Sequence, residues 1–223
     1  NLCRFLVSVT FILSGFVKAV DPIGTQYKIH DYAAAVGLDG VMPDLLALGM
    51  SVFLSGTEFV LGILLLFAIR RRLVTKLIFA FICVMTAITV WLYAAEPVSD
   101  CGCFGDAITL TNGETLLKNI LLLAMSALLV WRPTKMQRMV SLSNQWIVFH
   151  YSVVFIIVTA AYSLYYLPLF DFRPYRIGTD IMKGMEIPED AEQPEFETTF
   201  IMEKDGVRQE FTVENYPDST WTF

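Results

Sequence analysis

Two cysteines one residue apart carry the most chemistry in this 223-residue chain. They stand in Asp100-Cys101-Gly102-Cys103-Phe104-Gly105-Asp106. A disulfide across a single residue closes a tight ring, and Gly102 leaves the backbone free to take the conformation that closure demands. Departure from relaxed geometry makes such a bond easier to reduce, and strained, exposed disulfides are the labile or catalytic kind. As a staple the pair would be weak, because so short a loop removes little unfolded-state entropy. The spacing favours a redox-active dithiol, with an inert local clip and a soft-metal site as competing readings. A closed metal site wants four ligands. His30 lies in a separate polar segment and His150 near the opposite end of the last apolar run, so no metal is expected. Asp100 and Asp106 disfavour thiolates and so favour the disulfide.

Glu58 is the second candidate, in the middle of an apolar run that reads Leu54-Ser55-Gly56-Thr57-Glu58-Phe59-Val60-Leu61-Gly62. An ionisable group inside a membrane is a functional-site hypothesis by default, here a protonated hydrogen-bond donor or a proton carrier. The alternative is structural: Glu58 bonds a neighbouring helix, with Ser55, Gly56 and Gly62 as small packing positions. Lys18 and Asp21 flank the end of the first apolar run. Lys18 could reach Glu58 or Asp21, but snorkelling to the interface is the simpler expectation. Cys3 and Cys83 lie in apolar runs and read as small hydrophobes. The expected site is Cys101, Cys103 and Glu58. No P-loop, dinucleotide fingerprint, zinc-protease helix or serine-hydrolase elbow is present.

The elements that hold these residues are membrane spans. Hydrophobic residues make up 55% of the chain and charged residues 17%, against about 25% charged in a soluble domain. A bilayer core needs roughly 20 apolar helical residues. Five runs meet or approach that length, at about 2–20, 45–69, 73–95, 116–131 and 146–169. The fourth is short, with Lys118 and Asn119 in its first turn, and Lys118 is expected to snorkel. Arg70, Arg71, Arg72 and Lys76 follow the second run, and Arg132, Lys135 and Arg138 follow the fourth. The positive-inside rule places those loops and the N-terminus in the cytoplasm, and the C-terminal segment outside.

Three pieces then lie on the outer side: 21–44, with an interfacial helix at Gln26–Val36 presenting Tyr27, Tyr32 and Val36; the cysteine loop at 96–115; and the tail at 171–223. The tail holds five Lys/Arg and thirteen Asp/Glu, whereas residues 1–170 hold eleven and nine. That shift sets the domain boundary near residue 170. Within the tail, Glu197–Glu203 and Val207–Val213 around Asp205-Gly206 read as a β-hairpin. The chain opens on Asn1 and closes on Trp221-Thr222-Phe223, which reads as a tail that continues further. Net charge is −6 with no basic–aromatic patch, so nucleic-acid binding is excluded. The fold class is an all-α transmembrane bundle of about five spans with a small β-rich extracytoplasmic segment.

Ser14-Gly15-Phe16-Val17-Lys18, Asp21-Pro22-Ile23-Gly24-Thr25, the span with Glu58 and the Cys-Gly-Cys-Phe-Gly run together resemble the DoxX/MauE-like small membrane proteins. The periplasmic extension is similar to the version found in Bacteroidetes-type bacteria. The resemblance covers residues 1–170 and implies a four-helix core with an extra span, in a bacterial inner membrane. It also implies a link to extracytoplasmic disulfide maturation or quinone-linked oxidation, with Cys101 and Cys103 as the redox pair and Glu58 inside the bundle. Related longer proteins continue into a thioredoxin-like domain, but the tail here contains no CxxC. The leading expectation is a membrane thiol–disulfide oxidoreductase that exchanges with a periplasmic thiol protein or thioredoxin-like domain and passes electrons to a membrane quinone. The rival is a non-enzymatic subunit that scaffolds a partner within a larger membrane complex. A transporter using Glu58 is weaker, since no paired broken helices or inverted repeat appear.

Overall fold

The computed structural model describes residues 1–37, 42–95, 102–108, 110–133, 136–166, 168, 170, 172, 178–180, 182, 199–204 and 207–212. The chain divides into two compact units, Asn1–Thr179 and Asp180–Phe223. The first contains six helices among its described residues: α1 Leu2–Val20, α2 Pro22–Ala35, α3 Asp44–Leu66, α4 Arg71–Ala95, α5 Asn112–Trp131 and α6 Gln145–Tyr165. Five of the helical stretches are long and apolar enough to cross a membrane, the exception being α2. Large apolar side chains such as Trp146, Ile157, Val158 and Tyr165 point outward. Exposed apolar faces on helices of this length are what a lipid solvent accepts, and the molecule is a membrane protein.

Local chemistry sets the helix ends. Asp21 accepts the Gly24 amide at 3.0 Å and Pro22 takes the first helical position, so α2 starts directly after α1. It therefore begins before Gln26, and it is more than an interfacial strip: Tyr27 and Val36 are exposed, whereas Tyr32 is partly buried, and Tyr32 and Val36 both border a cavity. Thr111 and Glu114 form a capping box, which starts α5 a turn before its apolar run and moves Lys118 and Asn119 out of the first turn. α3 ends at Leu66 rather than running to 69, because the chain reverses through Ala68 (φ 55°) and Arg70 (φ 39°) before α4. α6 ends at Tyr165, short of Pro168.

The most extensive helix pairs are α1 with α3 and α4 with α5. α1 and α3 touch backbone to backbone at Gly15. A Cβ there would stand 2.5 Å from the Phe59 amide nitrogen and 2.6 Å from the Ser55 carbonyl. Gly62 makes the same close approach to Ile12 on the other side of the crossing. Small residues at a membrane helix crossing let the backbones meet, and here they bring polar groups of the two helices together. The main core cluster includes Val7, Phe11, Leu65, Ile78 and Leu122. In the second unit, β1 Thr199–Lys204 pairs antiparallel with β2 Val207–Thr212, from Thr199↔Thr212 to Lys204↔Val207. Asp205-Gly206 lies outside the described residues.

Candidate functional site

At the end of the bundle where α1 stops and α3 begins, the gap beside the Gly15 crossing holds a buried charge cluster. Lys18 on α1 is 5% exposed and Glu58 on α3 is 4% exposed. The Lys18 ammonium donates to Glu58 Oε1 at 2.8 Å and to Oε2 at 2.7 Å. It also donates to the Ser14 hydroxyl at 2.9 Å, one helical turn away on α1. Lys18 therefore does not snorkel. Desolvating an ammonium is expensive, but a carboxylate and a hydroxyl in reach satisfy all three of its N–H groups. Asp21, the other partner open to it, is engaged in capping α2.

The cluster reaches the cysteine loop through Ser14. Its hydroxyl lies 2.7 Å from Glu58 Oε2 and 2.7 Å from the Cys103 carbonyl oxygen. Gly102, at φ 60°, sits against the Lys28 side chain of α2, and a Cβ there would stand 3.0 Å from Lys28 Cγ. The Lys118 ammonium of α5 lies over the Phe104 ring, 4.5 Å from its centroid. Three helices thus hold consecutive residues 102, 103 and 104. Cys103 is half-buried; Cys101 and Asp100 lie outside the described residues. The structure thus joins Glu58 to the Cys103 peptide.

The same residues line one end of a cavity of about 590 Å³. Its walls are apolar side chains of α2, α3 and α4, among them Ile29, Met50, Phe53, Met85, Ile88 and Trp91, and its polar lining includes Ser14, Lys18, Glu58 and Lys118. Asn119, also in the lining, donates to Thr89 at 2.8 Å and joins α5 to α4. Among the described residues no group of three or more His, Cys, Asp and Glu could hold a metal. Ser14, Lys28 and Lys118 were not expected as site residues. The available signal was the Ser14/Lys18 spacing, which puts both side chains on one helix face.

A small helical bundle with a buried ion pair, an apolar cavity and a cysteine loop on its rim defines a class of integral membrane protein. The family model for Methylamine utilisation protein MauE matches residues 1–132, more than half of the chain, and the chain belongs to that family. Residues 196–223 match a Domain of unknown function (DUF8463). No curated protein and no solved structure matches the chain.

Proposed function

We propose that this MauE-family protein exchanges disulfides on the outer side of a bacterial inner membrane through Cys101 and Cys103. The observation that carries the reading is the seat of Cys103, whose peptide rests on the Ser14–Lys18–Glu58 cluster at the rim of an apolar cavity. The basic end of the bundle, with Arg70, Arg71 and Arg72, belongs in the cytoplasm by the positive-inside rule. The cysteine loop and the tail then face the periplasm, where disulfides persist.

A thiolate of a periplasmic dithiol protein, or of a thioredoxin-like domain, attacks one sulfur of the Cys101–Cys103 disulfide. The S–S bond breaks and a mixed disulfide forms. The substrate's second thiolate then displaces the loop cysteine. The substrate leaves oxidised, and Cys101 and Cys103 hold the two electrons as a dithiol after taking up two protons. A membrane quinone as electron acceptor would find apolar walls for ring and tail in the cavity, and the ammonium group of Lys118 as a donor for a carbonyl oxygen. A quinone supplies two-electron, two-proton acceptance, leaving as quinol. In this reading Glu58 accepts a proton released at the cysteines; its carboxylate is bridged by Ser14 to the Cys103 peptide.

The test is the redox state of Cys101/Cys103 in membranes, read by thiol alkylation and mass shift across redox buffers. A reversible couple above about −300 mV supports exchange; a bond that never opens overturns it. A second reading, a non-enzymatic subunit of a larger complex, draws on the separate compact unit at Asp180–Phe223 and its own family match. Partner capture unchanged in a Cys101→Ser/Cys103→Ser variant, with no thiol exchange in the parent, would favour it.

A further inference from the structure

The Ser14 hydroxyl has one hydrogen and two acceptors competing for it. It receives an N–H from Lys18 at 2.9 Å, and both Glu58 Oε2 and the Cys103 carbonyl lie at 2.7 Å. Lys18 has no further hydrogen to offer, since its three are directed at Ser14 and the two carboxylate oxygens. We infer that Ser14 is a positioning residue that clamps the Cys103 peptide when Glu58 is protonated and releases it when Glu58 is ionised.

The argument is one of proton count. A carboxylate oxygen and a hydroxyl oxygen at 2.7 Å need a hydrogen between them. With Glu58 ionised, that hydrogen must come from Ser14, and the Cys103 carbonyl loses the Ser14 bond. With Glu58 carrying a proton on Oε2, the acid donates to Ser14, and the Ser14 hydrogen turns to the Cys103 carbonyl. The hydroxyl then accepts two hydrogen bonds and donates one, its full complement. The charged and titratable groups that face Glu58 through the cavity are Lys18 from α1, Lys28 and Tyr32 from α2, Lys118 from α5, and Cys103. α4 lines it with apolar residues such as Met85, and α6 stacks Phe155 on Phe59, next along α3. The charge state of a buried acid is thereby written into the position of a cysteine whose chemistry also moves protons. The functional meaning rests on the thiol–disulfide reading of the same loop; the geometry of the clamp does not.

The experiment measures the alkylation rate of Cys103 by a water-soluble maleimide, with the full chain in lipid nanodiscs and Cys101→Ser as background. With Glu58 ionised and paired to Lys18 the parent is the released state, so Ser14→Ala alone should leave the rate near the parental one. The charge-balanced variant Lys18→Met/Glu58→Gln supplies an amide donor to Ser14 in place of the protonated acid, and should lower the rate about fivefold, the worth of one net hydrogen bond. Adding Ser14→Ala to that variant should return the rate to the parental one, and adding Ser14→Thr should keep it low. A charge-balanced variant that labels no slower than the parent overturns the clamp, as does a lowered rate that survives the added Ser14→Ala. Should the Ser14→Ala triple variant not fold, the charge-balanced variant against the parent carries the comparison. Redox titration of the intact Cys101/Cys103 pair separates the two ideas. A pair that never opens, with the alkylation pattern intact, removes the redox reading alone. A pair that exchanges, with the charge-balanced variant labelling like the parent, removes the clamp alone.

Discussion

The two ends of the bundle handle their charges by opposite means. At the cysteine end, Lys18 and Glu58 are drawn into the protein and paired, with the Ser14 hydroxyl completing the set. At the other end the cations stay nearer the surface and hold loops by their carbonyls. Arg4 donates to the Gln137 carbonyl at 2.9 Å, and Arg71 donates to the Met136 carbonyl. Arg70 and Arg72 are exposed. A guanidinium that meets a carbonyl at an interface keeps part of its hydration, whereas a buried ammonium must find a counter-charge. The first arrangement can change when a proton arrives, because its acid, base and hydroxyl share a limited set of hydrogens. The second holds its loops through direct guanidinium-to-carbonyl bonds, with no hydrogen shared between an acid and a hydroxyl.

The sharpest way to break this contrast is to remove one partner of the buried pair. Lys18→Met or Glu58→Leu alone should lower stability by about 3–5 kcal/mol, while the double variant should recover most of the loss. Unfolding in mixed micelles with increasing SDS measures the cycle, and additive losses would show that the two groups act independently. The crossing that creates the pair comes next. Gly15→Ala puts a methyl against the α3 backbone and should cost about 1–3 kcal/mol. In the charge-balanced Lys18→Met/Glu58→Gln background it should also quicken Cys103 labelling, since Ser14 precedes Gly15 directly.

At the basic end the effects should be smaller and should stay local. Arg71→Ala removes one donor to the Met136 carbonyl and should cost about 1–2 kcal/mol. Cys103 labelling should be unchanged; a changed rate would mean the ends are coupled. Smallest of all, Ala68→Gly relieves a left-handed residue at φ 55° and should stabilise by about 1 kcal/mol in the same unfolding assay. A loss there would show that the Ala68 methyl, 1% exposed, matters more as packing than the turn does as strain.

Much of the frame was legible from hydropathy alone. Runs such as 2–20 and 73–95 can only be helices in a bilayer, because every backbone group must be satisfied within its own segment. The antiparallel pair Thr199–Lys204 and Val207–Thr212 was equally readable, from apolar–polar alternation on either side of an Asp-Gly turn signal. Helix ends were read less well where polar residues extended an apolar run, as Thr111 and Glu114 do for α5, because a capping box lies outside the hydropathy signal.

The order of residues alone put Glu58 within an apolar run long enough to span a bilayer and stood two cysteines one residue apart, since both follow from residue type and spacing along the chain. It did not determine that Lys18 turns inward, that Ser14 joins Glu58 to the Cys103 peptide, or that Lys28 and Lys118 flank the loop. Those depend on the backbone contact of α1 and α3 at Gly15 and on the way α2 and α5 meet residues 102–104. Lys18 had two places for its charge, water at the interface or a partner in the bundle. Only the crossing of two helices brought a carboxylate within 2.8 Å and decided between them.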